Sequence, residues 1–204
     1  MNKIVLATRN AHKILEIKTI LRDLPLEILT LNDVPTVPEL REDGETFQDN
    51  SLQKARTVHE YTKLPALADD SGLEVFYLNG RPGVFSARYA GANASDEQNN
   101  RKLLGEMRGV APRRRKAQFR AVLTLVDGTR VDVTEGLCPG KLAESPRGTN
   151  GFGYDPIFMP DGFETSFAEM DIHTKNRISH RGLAVSKLVK FLHTLQGGSQ
   201  QDGI

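Results

Sequence analysis

The chain has 204 residues, of which 38% are hydrophobic and 26% are charged. This length and balance predict one α/β domain at residues 1–196, with a disordered tail at 197–204. The net charge of +1 favours neither nucleic acid nor a membrane as a partner. The single cysteine, Cys138, excludes an intramolecular disulfide framework and is expected to be a small apolar residue in a strand. Without a signal peptide or an apolar run of transmembrane length, a cytoplasmic location is expected.

The first thirty residues predict a strand, a helix and a second strand. Residues 4–7 are a short apolar run, Asn10 is suited to cap a helix, and residues 26–31 alternate as a strand. This βαβ opening predicts parallel pairing with a right-handed crossover. The expected core face of the helix consists of Ile14, Leu15, Ile17, Ile20, Leu21 and Leu24.

The rest of the chain predicts further helices and strands around loops rich in Gly and Pro. The runs 117–126 and 129–137 are expected to form a hairpin, because Asp127-Gly128 between them is a strong turn signal. Helices are expected at 46–61, 95–107 and 179–195, a strand at 66–69, and an acidic loop at 32–45. The last helix is expected to direct Leu183, Leu188, Val189 and Leu192 toward the core.

The turn between the first strand and the first helix is a candidate anion site. A helix start favours anions through its backbone N–H groups and its dipole. Thr8 and Asn10 offer side-chain hydrogen bonds, and Lys13 lies one turn into the helix, within reach of a phosphate oxygen. The alternative is an ordinary capped helix with a solvated lysine, because the segment lacks the glycines of a Walker loop.

A second candidate site combines carboxylates with a helical lysine. Mg²⁺ prefers oxygen ligands, and one or two carboxylates plus substrate phosphates suffice to hold it. Asp69 and Asp70 stand at an expected strand end, where adjacent side chains point in different directions. Lys54 would share one helix face with Asn50. A polar turn and a surface lysine are the alternatives, and a nucleophilic Ser71 is disfavoured because the glycine two residues before it is missing.

Two further segments suggest recognition of a nucleobase. Glycines flank Phe152, so that the backbone can approach a ligand closely and the ring can stack on a base. Ser179 is suited to cap the last helix, which places His180 and Arg181 in its first turn, where the dipole disfavours cations unless they serve a ligand. The alternatives are a tight turn with a core phenylalanine and a solvated basic surface.

The order of these segments resembles the inosine triphosphate pyrophosphatase family. The motifs are Thr-x-Asn-x-x-Lys from residue 8, Glu-x-Gly-x-Thr-Phe-x-x-Asn-x-x-x-Lys-Ala from residue 42, Ala-Asp-Asp-Ser-Gly-Leu from residue 68, Pro-Gly-Val-Phe-Ser-Ala-Arg-Tyr from residue 82, Gly-Phe-Gly-Tyr-Asp-Pro-Ile-Phe from residue 151 and Ile-Ser-His-Arg-Gly from residue 178. The resemblance implies an α/β fold with a long mixed β-sheet, flanking helices and two lobes around a central active-site cleft, usually in a homodimer.

The same resemblance implies Mg²⁺-dependent hydrolysis of ITP, dITP or XTP to the monophosphate and diphosphate, which keeps deaminated purines out of DNA and RNA. Asp70 would be the proton acceptor, and Glu42 and Asp70 would hold the metal. The implied substrate contacts are Thr8, Arg9, Asn10, Lys13, Lys54 and Ser71, with a base pocket of Phe152, Gly153, Tyr154, Asp155, Lys175, His180 and Arg181. Arg9 and Asn150 replace glycines of the family pattern, and His173 stands where an acidic residue is usual, which affects the expected substrate ranking more than the reaction type.

Other classes of function remain as alternatives. A non-catalytic nucleotide-binding module would need the same phosphate and base contacts but not the carboxylates Glu42, Asp69 and Asp70. Binding of nucleic acid rests only on the basic run 113–116, for which a solvated surface is the default interpretation. Among enzymes, the nearest rival is a pyrophosphatase of other modified or pyrimidine nucleotides.

Overall fold

The computed structural model describes the backbone of residues 2–197 and the side chains of residues 2–193. In this part of the chain a six-stranded mixed sheet has the strand order β2-β1-β3-β4-β5-β6. β1 is parallel to β2 and to β3, and the other neighbours are antiparallel. The predicted mixed sheet, βαβ opening and hairpin are therefore confirmed. The strands are β1 (Lys3–Leu6), β2 (Glu27–Leu29), β3 (Ala66–Val75), β4 (Lys116–Asp127), β5 (Arg130–Leu142) and β6 (Phe158–Pro160).

The helices begin where the sequence supplies capping side chains. Asn10, Thr46 and Ser95 each accept hydrogen bonds from first-turn N–H groups, which would otherwise have no partner within the helix. The short elements β6 and α4 were not predicted, because each is too short for a periodic pattern. The helices are α1 (Ala11–Leu21), α2 (Phe47–Thr62), α3 (Asp96–Glu106), α4 (Ile172–Ile178) and α5 (His180–Gly197).

The predicted end of β3 at Asp69 is wrong, because the strand continues to Val75. Asp69 and Asp70 therefore lie in the middle of β3 and not at the end of a strand. β4 pairs with β3 along its whole length, from Ala66 to Val75, so the polar segment keeps its backbone hydrogen bonds. Gly72 is required here because a Cβ would collide with the carbonyl of Gly83 and the hydroxyl of Ser86.

The buried apolar side chains form a core at each end of the long strands. One cluster surrounds Leu73, Phe119 and Cys138, and two others cover opposite faces of the sheet near β1. This division corresponds to the two expected lobes, and Cys138 is buried as expected. The prediction that Leu15 and Leu183 face the core is wrong, since they are 54% and 37% exposed.

The end of α5 that carries the predicted site residues packs tightly on β5. A Cβ at Gly136 would collide with the carbonyl of His180, so glycine permits this close approach. Ser179 accepts a hydrogen bond from the Gly182 N–H, which agrees with its predicted capping position. The tail was predicted at 197–204, but Gly197 is still part of α5, and residues 198–204 lie outside the described residues. Among the described helices, none is long and apolar enough to cross a membrane.

Candidate active site

A cleft of about 670 Å³ lies where the end of β1, the middle of β3 and the start of α5 meet. All but two of the predicted site residues line it, namely Thr8, Arg9, Asn10, Lys13, Glu42, Lys54, Asp70, Ser71, Phe152, Gly153, Tyr154, His180 and Arg181. The two exceptions are Asp155, which is 2% exposed, and Lys175, which lines a separate pocket of about 390 Å³ behind Phe152. Residues far apart in the sequence are thus gathered around one space.

The turn at the start of α1 forms one wall of the cleft. Asn10 Oδ1 accepts hydrogen bonds from the N–H groups of His12, at 3.0 Å, and Lys13, at 3.1 Å. Asn10 N donates to Thr8 Oγ1 at 3.2 Å. Two of the N–H groups expected to bind an anion are therefore already satisfied by the cap. Any anion at this wall would rely mainly on side chains, among them Arg9 and Lys13.

Lys54 forms ion pairs with both predicted metal ligands, Glu42 and Asp70. Its Nζ lies 2.6 Å from Glu42 Oε1 and 2.8 Å from Asp70 Oδ1, and it also donates to the carbonyl of Asp69 at 2.9 Å. The lysine is 4% exposed, so the surface-lysine alternative is wrong. Asn50 completes the cluster by donating to Asp70 Oδ2 at 3.2 Å. A buried cation between two carboxylates makes this a strongly polarised part of the cleft.

The protonation of this cluster follows from burial and from the sharing of one ammonium by two acids. Burial alone would lower the pKa of Lys54, but Asp70 and Glu42 outweigh it, and the pKa is raised. Burial raises the pKa of Asp70 despite Lys54, and Glu42 adds a repulsive contribution. Burial would also raise the pKa of Glu42, but Lys54 and other nearby cations together outweigh burial, and the pKa of Glu42 is lowered. Asp70 is therefore a stronger base than a solvated aspartate.

Asp69 belongs to a different set of ion pairs. Its Oδ1 lies 2.7 Å from Lys13 Nζ, and its Oδ2 accepts from Arg181 Nε at 2.8 Å. Arg181 Nη2 also donates to Ser71 Oγ at 2.8 Å, and Ser71 Oγ donates to Asp69 Oδ1 at 2.9 Å. Burial would raise the pKa of Asp69, but Arg181 and Lys13 hold it far below its usual range. Asp69 is thus a permanent anion that orients two cations at the cleft.

Glu16 is a site residue that the sequence analysis missed. It is 4% exposed and accepts from Lys175 Nζ at 2.8 Å and from Arg181 Nη1 at 2.5 Å. Lys175 also contacts Asp155 Oδ2 at 2.5 Å. The available signal was an acidic residue among the apolar positions of α1. Lys175, His180 and Arg181 are all buried, so the solvated-surface alternative is wrong for them.

Phe152 lies in the midst of these charged groups. Its ring stacks on His12 with centroids 4.9 Å apart and planes 9° apart. Lys175 Nζ lies over the ring, 4.9 Å from its centroid, and Arg181 Cζ lies 5.5 Å from it. The Phe152 N–H donates to Asp155 Oδ2 at 2.9 Å, which holds the loop closed. The ring is thus part of the cleft wall and not a core phenylalanine.

His180 has an unused hydrogen-bonding atom. Its ring stacks on Phe119 with centroids 4.5 Å apart, and its buried Nδ1 has no hydrogen-bond partner among the described residues. Burial, with a further contribution from Arg181, lowers the pKa of His180 well below its usual value. The ring is therefore neutral at physiological pH. A buried polar atom without a partner at a cleft indicates a group that a ligand would satisfy.

Gly153 and Tyr154 serve mainly to hold the cleft wall in place. Gly153 N donates to Asp96 Oδ2 at 2.6 Å, and Tyr154 Oη donates to the Ser86 carbonyl at 2.9 Å. A wider depression of about 1020 Å³ lies on the α3 side of this loop, and Phe152 and Gly153 line it too. It contains neither Asp70 nor Lys54, so the reactive groups described above belong to the smaller cleft.

Fold and site together define a mixed-sheet α/β protein with one cleft that combines paired carboxylates, buried cations and an aromatic ring. Comparisons with known proteins agree with this class. The Ham1 family model matches residues 4–191, and the chain belongs to the Ham1 family.

Individual relatives cover nearly the whole chain. A "dITP/XTP pyrophosphatase" of Geobacter sulfurreducens is 49% identical, with 92% of this chain and 95% of the relative covered. One of Clostridium perfringens with the same name is 47% identical, with 92% and 96% covered. The solved structure of a HAM1 protein from Coxiella burnetii has a TM-score of 0.87 at 42% identity, with 95% of this chain and 100% of that chain covered. The mixed α/β fold with flanking helices agrees with this neighbour.

Proposed function

We propose that this protein hydrolyses the bond between the α- and β-phosphates of ITP, dITP and XTP, yielding the nucleoside monophosphate and diphosphate. One observation carries the proposal: the Asp70–Lys54–Glu42 cluster and the donors of His180 and Arg181 line the same cleft. The first group suits a polyphosphate and the second suits an oxygen on a base. The relatives from Geobacter sulfurreducens and Clostridium perfringens are named "dITP/XTP pyrophosphatase", which supports the same substrate class.

We propose Mg²⁺ as the cofactor, held by Glu42 and Asp70. Both carboxylates contact one cation, Lys54 Nζ, so they converge closely enough to share another. Among the described residues no group of three or more His, Cys, Asp or Glu is arranged to hold a metal. The two carboxylates of Glu42 and Asp70 fit Mg²⁺, which commonly uses one or two carboxylates and completes its shell with phosphates and water. When bound, the ion would neutralise phosphate charge.

The residues of the chain supply the remaining parts of the reaction. Asp70 orients a water molecule and accepts its proton as the water oxygen bonds to the α-phosphorus. The bond between that phosphorus and the bridging oxygen breaks, and the electron pair leaves with the diphosphate. Lys54 and Lys13 are placed to offset the charge that develops on the leaving group. Thr8, Arg9, Asn10 and Ser71 line the cleft beside them and would hold the phosphates and the sugar.

Selectivity would come from donors aimed at the oxygen on position 6 of hypoxanthine or xanthine. A guanidinium has five N–H donors, and Arg181 uses three of them on Asp69, Glu16 and Ser71. Within the part of the chain that the structure describes, the Arg181 guanidinium makes no further hydrogen bond, so two donors would remain for the base. Adenine carries an amino group at position 6 and would leave such donors unsatisfied, which is a strong basis for discrimination. Phe152 would stack on the base, with Lys175 and Asp155 supporting it from behind.

We further propose that the protein acts in the cytoplasm as a homodimer, without binding nucleic acid, and removes deaminated purines before they enter DNA and RNA. Three aromatic side chains outside the cleft, Phe76, Tyr77 and Phe85, are 52%, 39% and 56% exposed, and we propose that they contact the second subunit. Light scattering coupled to size exclusion should give twice the monomer mass.

A substrate panel tests the proposed activity. Purified protein with Mg²⁺ should release diphosphate from ITP, dITP and XTP far faster than from ATP, GTP or dUTP, and EDTA should stop the reaction. In H₂¹⁸O the label should enter the monophosphate. Label found only in the diphosphate would place the attack at the β-phosphorus and contradict the proposal. Binding of ITP without turnover would favour a nucleotide-binding module, and a preference for dUTP would favour a different substrate class.

A further inference from the structure

The segment 82–89 contains a motif for which the proposed chemistry gives no role. Its centre, Gly83–Arg88, forms a 3₁₀ helix packed against β3. Ser86 Oγ accepts from the Leu73 N–H at 2.9 Å and donates to the Gly83 carbonyl at 2.6 Å. Gly72 of β3 has no room for a side chain against the same two residues. The segment is therefore seated closely on the strand that carries Asp70.

Two other parts of the molecule hold this 3₁₀ helix from its remaining sides. The Ser86 carbonyl accepts from Tyr154 Oη at 2.9 Å, and the Ala87 carbonyl accepts from Asn99 Nδ2 at 3.2 Å. Asn99 is 3% exposed and lies on α3. The 3₁₀ helix is thus braced by a strand, a loop and a helix, and it forms a rigid support beside the cleft.

Arg88 extends from this support to the loop that carries Glu42. Its Nη2 donates to the Glu42 carbonyl at 2.9 Å, and its Nη1 lies 4.0 Å from Glu42 Oε2. The loop has neither helix nor strand between residues 32 and 45. A second contact holds it from α2, where Asn50 Oδ1 accepts from the Gly44 N–H at 2.8 Å. Arg88 and Asn50 therefore hold the backbone at two neighbouring points, the Glu42 carbonyl and the Gly44 N–H.

We propose that Arg88 is a positioning residue that holds the backbone of Glu42, so that the Glu42 carboxylate stays beside Lys54 and Asp70. The inference rests on the proposed function in assigning Glu42 to the metal. Glu42 has a side chain that is 39% exposed, and its loop supplies no regular backbone hydrogen bonds to fix it. The forked guanidinium of Arg88 contacts both the carbonyl and the carboxylate of one residue, which a lysine cannot do with the same geometry.

The test compares Arg88→Ala with the wild type by hydrogen exchange of metal-free, nucleotide-free protein. Exchange should become faster in peptides covering residues 39–45 and stay unchanged in β3 and α5. The Mg²⁺ concentration for half-maximal turnover of ITP should rise about tenfold or more, as is usual for a residue that supports a metal ligand. Arg88→Lys should restore part of both properties. Arg101→Ala is the matched control, since Arg101 is exposed and, among the described residues, forms an ion pair only with Glu97 on α3.

Unchanged exchange at 39–45 together with an unchanged Mg²⁺ requirement would overturn the proposal. A loss of turnover with both quantities unchanged would overturn it too, because Arg88 would then act on the substrate. If Arg88→Ala does not fold, as judged by circular dichroism, Arg88→Gln is to be judged by the same two measurements. Failure of the proposed function is separate: it would appear as absent turnover by the wild type, whereas loop exchange reports on Arg88 whatever the nucleotide.

Discussion

Asp69 and Asp70 are neighbours in β3, yet their carboxylates belong to separate ion-pair systems. Asp69 contacts Lys13 and Arg181 at 2.7 and 2.8 Å, while Asp70 contacts Lys54 at 2.8 Å. Successive side chains of a strand point to opposite faces, so one backbone segment serves both systems. Two adjacent acids are thereby given different environments, one compensated by two cations and the other sharing a single cation with Glu42.

The first prediction concerns the consequence of this division. Asp70→Asn should lower kcat for ITP by roughly 10²- to 10⁴-fold, the range expected for loss of a general base. Its melting temperature should stay close to that of the wild type, because the amide keeps the hydrogen bond to Lys54 and relieves a carboxylate whose pKa is raised by burial. Steady-state kinetics and thermal unfolding measure the two effects.

Asp69→Asn is the matched comparison and should behave differently. Arg181 and Lys13 would lose their anionic partner in a buried place, which typically costs about 3–5 kcal/mol of stability. A substantial drop in melting temperature with residual turnover is expected. If both variants lost turnover equally and both melted like the wild type, the separation of roles between the two acids would be wrong.

Helix caps and the hairpin turn could be predicted from the sequence because they depend on local chemistry. Asn10 caps the helix that it was expected to cap, and the turn at Asp127-Gly128 joins β4 and β5. Such signals act over a few residues and need no knowledge of the rest of the fold. The gathering of Lys54, Asp70 and Arg181 around one cleft followed from the resemblance and not from periodicity.

The sequence failed where distant contacts override local preference. Asp-Ser-Gly is a turn signal, yet β4 pairs with it along its length and makes it strand. Arg115 belongs to a basic run expected on the solvated surface, but it is 4% exposed because three backbone carbonyls accept its donors. Glu16 and Arg88 were missed for the same reason, since their partners are supplied by other parts of the chain.

Arg181 should set the preference for the oxygen on position 6. Arg181→Ala is expected to raise KM for ITP and to lower the ratio of kcat/KM for ITP to that for ATP by about 10-fold or more, the equivalent of one charge-assisted hydrogen bond. The variant will also be less stable, because Asp69 and Glu16 lose their shared partner. The ratio is measured on one sample and does not depend on the folded fraction. An unchanged ratio would remove Arg181 from base selection.

Arg115 offers a prediction about stability apart from the site. It donates to the carbonyls of Met107, Leu142 and Ala143 and so joins the end of α3 to the end of β5. Arg115→Ala removes all three of these hydrogen bonds, although the Met107 carbonyl keeps a donor in the Val110 N–H. The substitution should cost roughly 3 kcal/mol, or about 6–12 °C in melting temperature.

The kinetic constants of Arg115→Ala for ITP at low temperature should match the wild type. Arg113→Ala, in the same basic run but exposed, is the control and should change stability by less than about 0.5 kcal/mol. Equal effects of the two substitutions would refute a specific role for Arg115.

The pH dependence of stability should distinguish the two aspartates once more. Arg181 and Lys13 hold the pKa of Asp69 far below its usual range in the folded protein, against the effect of burial. The unfolded chain then binds the proton more readily, so the stabilisation from Asp69 is complete above about pH 4–5 and declines as the pH falls further. The difference in free energy of unfolding between the wild type and Asp69→Asn should therefore shrink below that range in urea titrations.

The contribution of Asp70 to the free energy of unfolding should change with pH in the opposite direction. Burial raises its pKa in the folded protein, so the folded state binds the proton more readily than the unfolded chain does. Acidification through the folded pKa therefore favours the folded state at this position, and the wild type should gain stability relative to Asp70→Asn as the pH falls. A difference that stays constant for both variants between pH 7 and pH 3 would contradict the ion-pair assignments, because neutral partners would produce no such dependence.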